Sequence, residues 1–151
     1  MVGVTVGRPY GGVSVTAQRW ATKLHAAVFR ATNGRVLGRM LKSPVLLLVT
    51  VGRKTGQRRT TPLLYLEDGD RYVIVASNGG TAKHPVWWLN LRANPEAVVE
   101  VGGKEIPVRA RETEGEEKAR LWKELVKMYP PYQDYQDRTD RRIPVVLLQP
   151  A

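Results

Sequence analysis

The sequence predicts an α+β fold, a small barrel of about six antiparallel strands with an N-terminal amphipathic helix and further helices set around it. Three observations predict it. Short segments rich in β-branched and apolar residues recur from Val45 onward, each bounded by turn signals. No regular strand–helix–strand alternation connects them, which argues against a parallel sheet. With 151 residues, 42% of them hydrophobic, the chain fills one core rather than two.

The elements follow in order. Residues 1–15 are rich in Gly and Val without a helical or alternating period, and read as a flexible or loosely docked arm. From Thr16, a plausible N-cap, Trp20, Leu24, Ala27, Val28 and Ala31 recur at helical spacing until Asn33-Gly34 supplies a stop. Arg19, Lys23 and Arg30 lie on or beside the opposite face, and Arg35, Arg39 and Lys42 follow. Such a basic amphipathic helix either covers a sheet or lies on a membrane surface. Residues 1–42 are therefore arm and helix, and 43–151 the barrel, within one globular unit.

"PVLLLVTV" is a first strand, "RRTTPLLYLE" a second, and "DGD" a tight turn into a third, "RYVIVAS". "HPVWWLNLRANP" reads as a short helix opened and closed by proline. "EAVVEV", Gly102-Gly103 and "KEIPVRARE" form a hairpin. "TEGEEKARLWKELVKMY" is an amphipathic helix with acids in its first turn, Lys127 in its last, and Ala119, Leu121, Trp122, Leu125, Val126 and Met128 largely on one side. "PPYQDYQDRTDRR" reads as a loop and "IPVVLLQP" as a final strand.

Charge is distributed unevenly. Residues 1–66 hold 11 Lys/Arg and no Asp or Glu, while the other 85 hold 13 basic and 14 acidic residues. Such a half-chain attracts polyanions: nucleic acid, an anionic membrane, or a small ligand with several negative charges. Without cysteine, and with His25 and His84 as the two histidines, thiolate and histidine-rich metal sites are excluded. The N-terminus lacks the apolar run of a signal peptide, and no segment approaches the roughly 20 apolar residues that cross a bilayer, so a cytoplasmic location is expected.

Three stretches carry the chemistry. "GRKTGQRR" presents Arg53, Lys54, Arg58 and Arg59 on a glycine-flanked turn, which reads as an anion cradle or as a solvated basic hairpin. In "ASNGGTAKHPVWWLN" two glycines after a strand end admit a ligand close to the backbone. There Ser77 and Asn78 offer hydrogen bonds, Lys83 a charge, and one of Trp87 and Trp88 a flat wall, unless both tryptophans pack inward. In "MYPPYQDYQDRTDRRIP" Tyr129, Tyr132 and Tyr135 recur every third residue, as a pocket lining with phenolic donors or as packing aromatics. No nucleophile elbow, metal motif or spaced carboxylate pair is visible, which disfavours hydrolysis and leaves room for borrowed cofactor chemistry.

"LLLVTVGRKTGQRRTTPLLYL", "VIVASNGGTAKHPVWWLNLRANP" and "MYPPYQDYQDRTDRRIPVVLLQP", taken together over about residues 43–150, resemble the deazaflavin-dependent nitroreductase and quinone reductase family of actinobacteria. The resemblance implies a split β-barrel and coenzyme F420, a deazaflavin with a phosphate-linked side chain and a glutamate tail. It implies a coenzyme site drawn from Arg53, Lys54, Thr55, Gly56, Arg59, Pro62, Ala76, Ser77, Asn78, Gly79, Gly80, Lys83, Trp87 and Asn90. Asn78 stands where relatives often carry lysine, so Arg59 or Lys83 is expected to compensate. Tyr132 is implied as hydrogen-bond or proton donor, Ser77 as its helper, and Tyr129 and Tyr135 as walls; Leu64 occupies a pocket position that is aromatic in some relatives. The implied reaction is hydride transfer from the reduced coenzyme to a quinone, an activated enone or a nitro compound. The basic helix would hold the enzyme reversibly at the inner membrane surface, near lipid quinones. Rival readings are an FMN- or heme-binding split barrel, a coenzyme carrier without turnover, and, more remotely, a nucleic-acid-binding module.

Overall fold

The computed structural model describes residues 44–151. The expected arm and basic helix, with the Thr16 cap and the cations up to Lys42, lie outside the described residues. The described chain runs β1 (Val45–Val51), β2 (Arg58–Leu64), β3 (Leu66–Asp68), β4 (Arg71–Val75), α1 (Val86–Ala93), β5 (Glu96–Val101), β6 (Lys104–Glu112), α2 (Gly115–Met128), α3 (Pro131–Arg138) and β7 (Val145–Pro150). A 3-10 turn, Asn78–Gly80, stands between β4 and α1.

All strands join one antiparallel sheet in the order β2-β1-β5-β6-β7-β4-β3. β2 and β3 occupy opposite edges of that order, yet Tyr65 alone separates them in sequence. One extended stretch therefore pairs with β1 along its first half and with β4 along its second, and the sheet has to curl until its edges meet. The backbone N–H of Tyr65 donates to the carbonyl of Pro44, 3.1 Å away, at this change of partner. The described residues thus contain seven strands where about six were expected. "RRTTPLLYLE" is two strands, because both halves are extended and the sequence gives no sign of where the partner changes. Pro62 sits within β2 opposite Leu47, tolerated because an edge strand has a free side for a residue without an N–H.

Two hydrophobic clusters line the two faces. One, inside the curl, gathers Leu46, Leu48, Tyr65, Ile74, Ala76, Trp87, Trp88, Leu91, Val146 and Leu148 among others. The second lies under the two helices of 115–138 and holds Val73, Val75, Leu121, Leu125, Tyr129, Tyr132, Ile143, Val145 and Leu147. Successive residues of β4 and β7 alternate between the clusters, so both strands are buried on two faces. This accounts for the unbroken apolar runs "YVIV" and "VVLL" in place of alternation.

α1 begins after Pro85 and ends before Asn94-Pro95, as its flanking prolines predicted. α2 buries Leu121 and Leu125 completely, whereas Ala119, expected on the apolar face, is exposed. Two residues before Leu121 means about 200° around the helix, which places Ala119 on the far side. The expected loop after Tyr129 is largely α3. Pro131 occupies its first turn, where a missing N–H costs nothing and the fixed φ favours helix. Prolines that suggested a loop therefore start a helix, and the three-residue tyrosine spacing becomes one helix face continued from the end of α2.

Candidate functional site

The site is a cleft running along β2. At the Arg58 end a cavity of about 550 Å³ is lined by Arg58, Arg59, Thr60, Thr61, Val86, Trp87 and Asn90. At the Leu64 end a second of about 450 Å³ is lined by Thr61, Pro62, Leu63, Leu64, Val75, Ser77, Asn78, Gly79, Pro85, Trp87, Tyr129, Tyr132 and Tyr135. Thr61 and Trp87 border both, so the halves adjoin. Along seven residues β2 thus changes from cationic to apolar, and the cleft changes with it.

The turn before β2 is built by glycine. The N–H of Gly52 donates to the carbonyl of Gln57 at 2.7 Å, and that of Gly56 donates back to Gly52 at 2.8 Å. A Cβ on Gly52 would lie 2.9 Å from Thr55 Oγ1 and 3.2 Å from the Gln57 carbonyl, while Gly56 takes a φ of 73° that favours glycine. Asn90, buried on α1, accepts from both the backbone N–H and Nη1 of Arg53, each at 3.1 Å, tying this turn to the helix. Arg53, Lys54, Thr55 and Gly56 stand exposed beside the cleft without lining either half, whereas Arg59 lines the basic half.

The second wall is the turn after β4. Ser77 is right-handed (φ −76°, ψ −36°), and Asn78, Gly79 and Gly80 follow with φ of 47°, 66° and 79°. A right-handed residue followed by a left-handed one turns successive N–H groups to one side and forms a concave site for an anion. Asn78 tolerates the left-handed region better than most side chains. Its Nδ2 donates to Thr81 Oγ1 (2.9 Å) and to the carbonyl of Lys83 (3.0 Å), so its side chain closes the turn. The Lys83 side chain is exposed and lines neither half, leaving Arg59 as the cation of the expected pair that lines the cleft. Ala76 is fully buried in the inner cluster, and Gly80 is buried against α3, where a Cβ would fall 2.6 Å from the carbonyl oxygen of Tyr135.

Ser77, Tyr129, Tyr132 and Tyr135 do come together in the apolar half. The Tyr129 and Tyr132 rings meet edge-on at 5.0 Å, Tyr132 and Tyr135 at 6.4 Å, and the Tyr129 and Tyr135 hydroxyls lie 3.5 Å apart. Burial first, then the neighbouring tyrosines, push the Tyr132 phenol well above its ordinary pKa, so it is a neutral donor throughout the working pH range. Both tryptophans are buried. Trp88 belongs to the core with Arg92 over its ring at 5.8 Å, and Trp87 is the one at the cleft.

The sequence from 20 to 150 matches the family model for F420H2-dependent quinone reductases. The chain belongs to this F420H2-dependent quinone reductase family. A member from Mycobacterium tuberculosis is 46% identical over 130 residues, which cover 83% of this chain and 87% of that protein. A solved F420-H2 dependent reductase is 47% identical with a TM-score of 0.66, covering 70% of this chain and 94% of its own. A further solved chain, described as a domain-swapped dimer, is 41% identical with a TM-score of 0.67, covering 82% of this chain and 98% of its own. The family is one of oxidoreductases whose cofactor is coenzyme F420, and the fold is its split barrel. The donor set fits such a molecule: cations and a concave backbone for phosphate and carboxylate oxygens, and Trp87 with apolar β2 residues for a ring. Sequence reasoning missed Thr61, Val75 and Pro85, which reach the cleft only through the fold. It also missed Arg138, whose guanidinium lies over the Tyr135 ring at 5.5 Å and donates to the Gly79 carbonyl at 3.3 Å. No local pattern marks these residues. Among the described residues no helix is long and apolar enough to cross a membrane, and no cluster of metal-ligating side chains occurs.

Proposed function

We propose that the cleft along β2 binds reduced coenzyme F420 with its tail at Arg58 and Arg59 and its ring between Trp87 and the tyrosines, and that the enzyme reduces quinones, activated enones and nitro compounds there. The observation that carries the reading is the passage from cationic to apolar lining along one strand, with Trp87 shared by both halves. When bound, the reduced coenzyme supplies a hydride. The chain's own residues do the rest. Arg59, with Arg53 and Lys54 at the entrance, holds phosphate and tail carboxylates. The Ser77–Gly80 turn offers backbone N–H groups, and Leu64, Val75, Pro85 and Trp87 exclude water from the ring and the acceptor. Tyr132, uncharged, donates a hydrogen bond to the acceptor oxygen on which negative charge develops, and Ser77 assists it. Tyr129 and Tyr135 hold the acceptor flat.

Titration with oxidised coenzyme F420, followed by the absorbance decay of its reduced form on adding menadione, tests the reading. Binding with quinone-dependent oxidation is expected, and no binding overturns it. Arg59→Ala is expected to weaken binding about 10-fold for the tailed coenzyme and less for a tailless analogue. Equal losses for both would remove Arg59 from the tail site. Reversible contact with an anionic membrane belongs to the same proposal, supported by 11 Lys/Arg against no acidic residue in 1–66. Co-sedimentation with anionic vesicles, abolished by salt, is the expected outcome.

A further inference from the structure

Arg141, between α3 and β7, lies behind the Ser77–Gly80 turn. Its Nη2 donates to the Ser77 carbonyl at 2.6 Å, its Nε to the Thr81 carbonyl at 2.8 Å, and its Nη1 to the Ala76 carbonyl at 3.2 Å. The same Nη1 lies 3.2 Å from Nδ1 of His84. Among the described residues Arg141 forms no ion pair. Three of the four partners of this cation are carbonyl groups within and beside the Ser77–Gly80 turn, and that turn is a wall of the cleft.

The consequence follows from peptide geometry. A trans peptide points its carbonyl and the next N–H in opposite directions. Pulling the carbonyls of Ala76 and Ser77 back onto the guanidinium therefore aims the N–H groups of Ser77 and Asn78 forward, on the side of the cleft that both residues line. A cation on the carbonyl also strengthens the N–H of the same peptide as a donor. We propose that Arg141, steadied by a neutral His84, is a positioning residue that holds the Ser77–Asn78 N–H groups ready for electron-rich oxygens of the coenzyme. The proposal rests on the reading of the cleft as the coenzyme site.

His84 gives the arrangement a signature. To accept from Arg141, Nδ1 has to be unprotonated, with the ring proton on Nε2. Protonation sets two donors against each other. Arg141, Arg92 on α1 and Glu112 at the end of β6 are the charges that act on the ring; burial first, then the two arginines, hold its pKa below the ordinary histidine value, while Glu112 opposes them. As pH falls through the His84 ionisation the turn loses one of its restraints.

The test compares the full chain with Arg141→Lys, Arg141→Met and His84→Asn. Amide exchange is read in the coenzyme-free proteins, oxidised coenzyme F420 is titrated in, and KM values for reduced coenzyme and menadione are measured. In Arg141→Lys, faster exchange at Gly80 and Thr81, whose N–H groups donate to the Ser77 and Asn78 carbonyls of the turn, about a 10-fold rise in coenzyme Kd and KM, and a menadione KM within about 2-fold are expected. Arg141→Met should show a larger change of the same kind, and where it fails to fold, the lysine variant decides. In the parent, coenzyme affinity falls as pH drops below the ordinary histidine range, about 6.5, and His84→Asn, which keeps an acceptor but cannot titrate, flattens that profile. Unchanged coenzyme affinity in Arg141→Lys, parallel losses for coenzyme and menadione, or the same acid decline in His84→Asn would overturn the proposal. Failure of the parent itself to bind would overturn the cofactor site and this inference together, whereas binding by the parent with indifferent variants would overturn the inference alone.

Discussion

At the scale of single residues, Tyr132 shows how an environment assigns a role. Its phenol is buried between Tyr129 and Tyr135, so the charged form is disfavoured and the hydroxyl donates without ionising. Tyr132→Phe preserves the ring packing and removes that donor. Turnover with menadione is expected to fall about 10- to 100-fold while coenzyme Kd moves less than about 2-fold. Equal losses would make the tyrosine structural. The position of Tyr132 in the cleft was legible because three phenols at fixed spacing have few local explanations, and that of Ser77 because it stands at a strand end just before Asn78 and two glycines. Arg141 was not legible: its acceptors lie 57 to 65 positions earlier and three of the four are carbonyl groups, which every residue carries. Lys83 illustrates the converse, a cation at a favourable position in the sequence whose exposed side chain lines neither half of the cleft.

Among elements, the Asn78–Gly80 turn packs against α3 without room for a side chain. Gly80 combines a φ of 79° with a Cβ position 2.6 Å from the Tyr135 carbonyl oxygen and 2.8 Å from its Cα, so only glycine fits. Gly80→Ala is expected to cost about 2 kcal/mol or more through the left-handed φ and the backbone clash. That corresponds to a drop in unfolding midpoint of roughly 4–8 °C, measurable by thermal denaturation. It should also push apart the Asn78–Gly80 turn and the helix bearing Tyr132 and Tyr135, and, on the proposed placement of the coenzyme, raise coenzyme Kd. Strands β1, β4, β5, β6 and β7 were legible from β-branched runs and turn signals. α3 was not, because Pro130-Pro131 serves a helix start as well as a loop, and only the docking of Tyr132 into the second cluster decides between them.

For the molecule as a whole, stability is expected to decline in two separable acid steps. His84 is held below the ordinary histidine pKa, so the unfolded chain takes up a proton first and stability falls as pH drops below about 6.5. Asp68 is held low by hydrogen bonds from Arg120 and then Arg71, with burial opposing, so its contribution is lost at still lower pH, through its depressed pKa. Glu100, raised by burial and by Glu105 opposite it, works the other way and regains stability as it is neutralised. Unfolding midpoints measured against pH should lose the upper step in His84→Asn and the lower one in Asp68→Asn. A profile unchanged by either variant would show that these groups do not govern acid unfolding. The barrel's closure at Tyr65, by contrast, was invisible in the sequence, since a strand that exchanges one partner for another keeps its extended pattern throughout.

The position of β7 bears on how such a molecule is made. It lies between β6 and β4, yet follows both in the chain. During synthesis the sheet has a gap between β6 and β4 until Val145–Pro150 leaves the ribosome, and Leu121 and Leu125 of α2 wait for Val145 and Leu147 before their cluster is complete. Assembly therefore cannot proceed from first strand to last. The nascent chain holds two unpaired strand edges and a half-covered apolar face, a state that invites pairing with a neighbouring chain, until the late strand slides in and joins the two parts of the sheet.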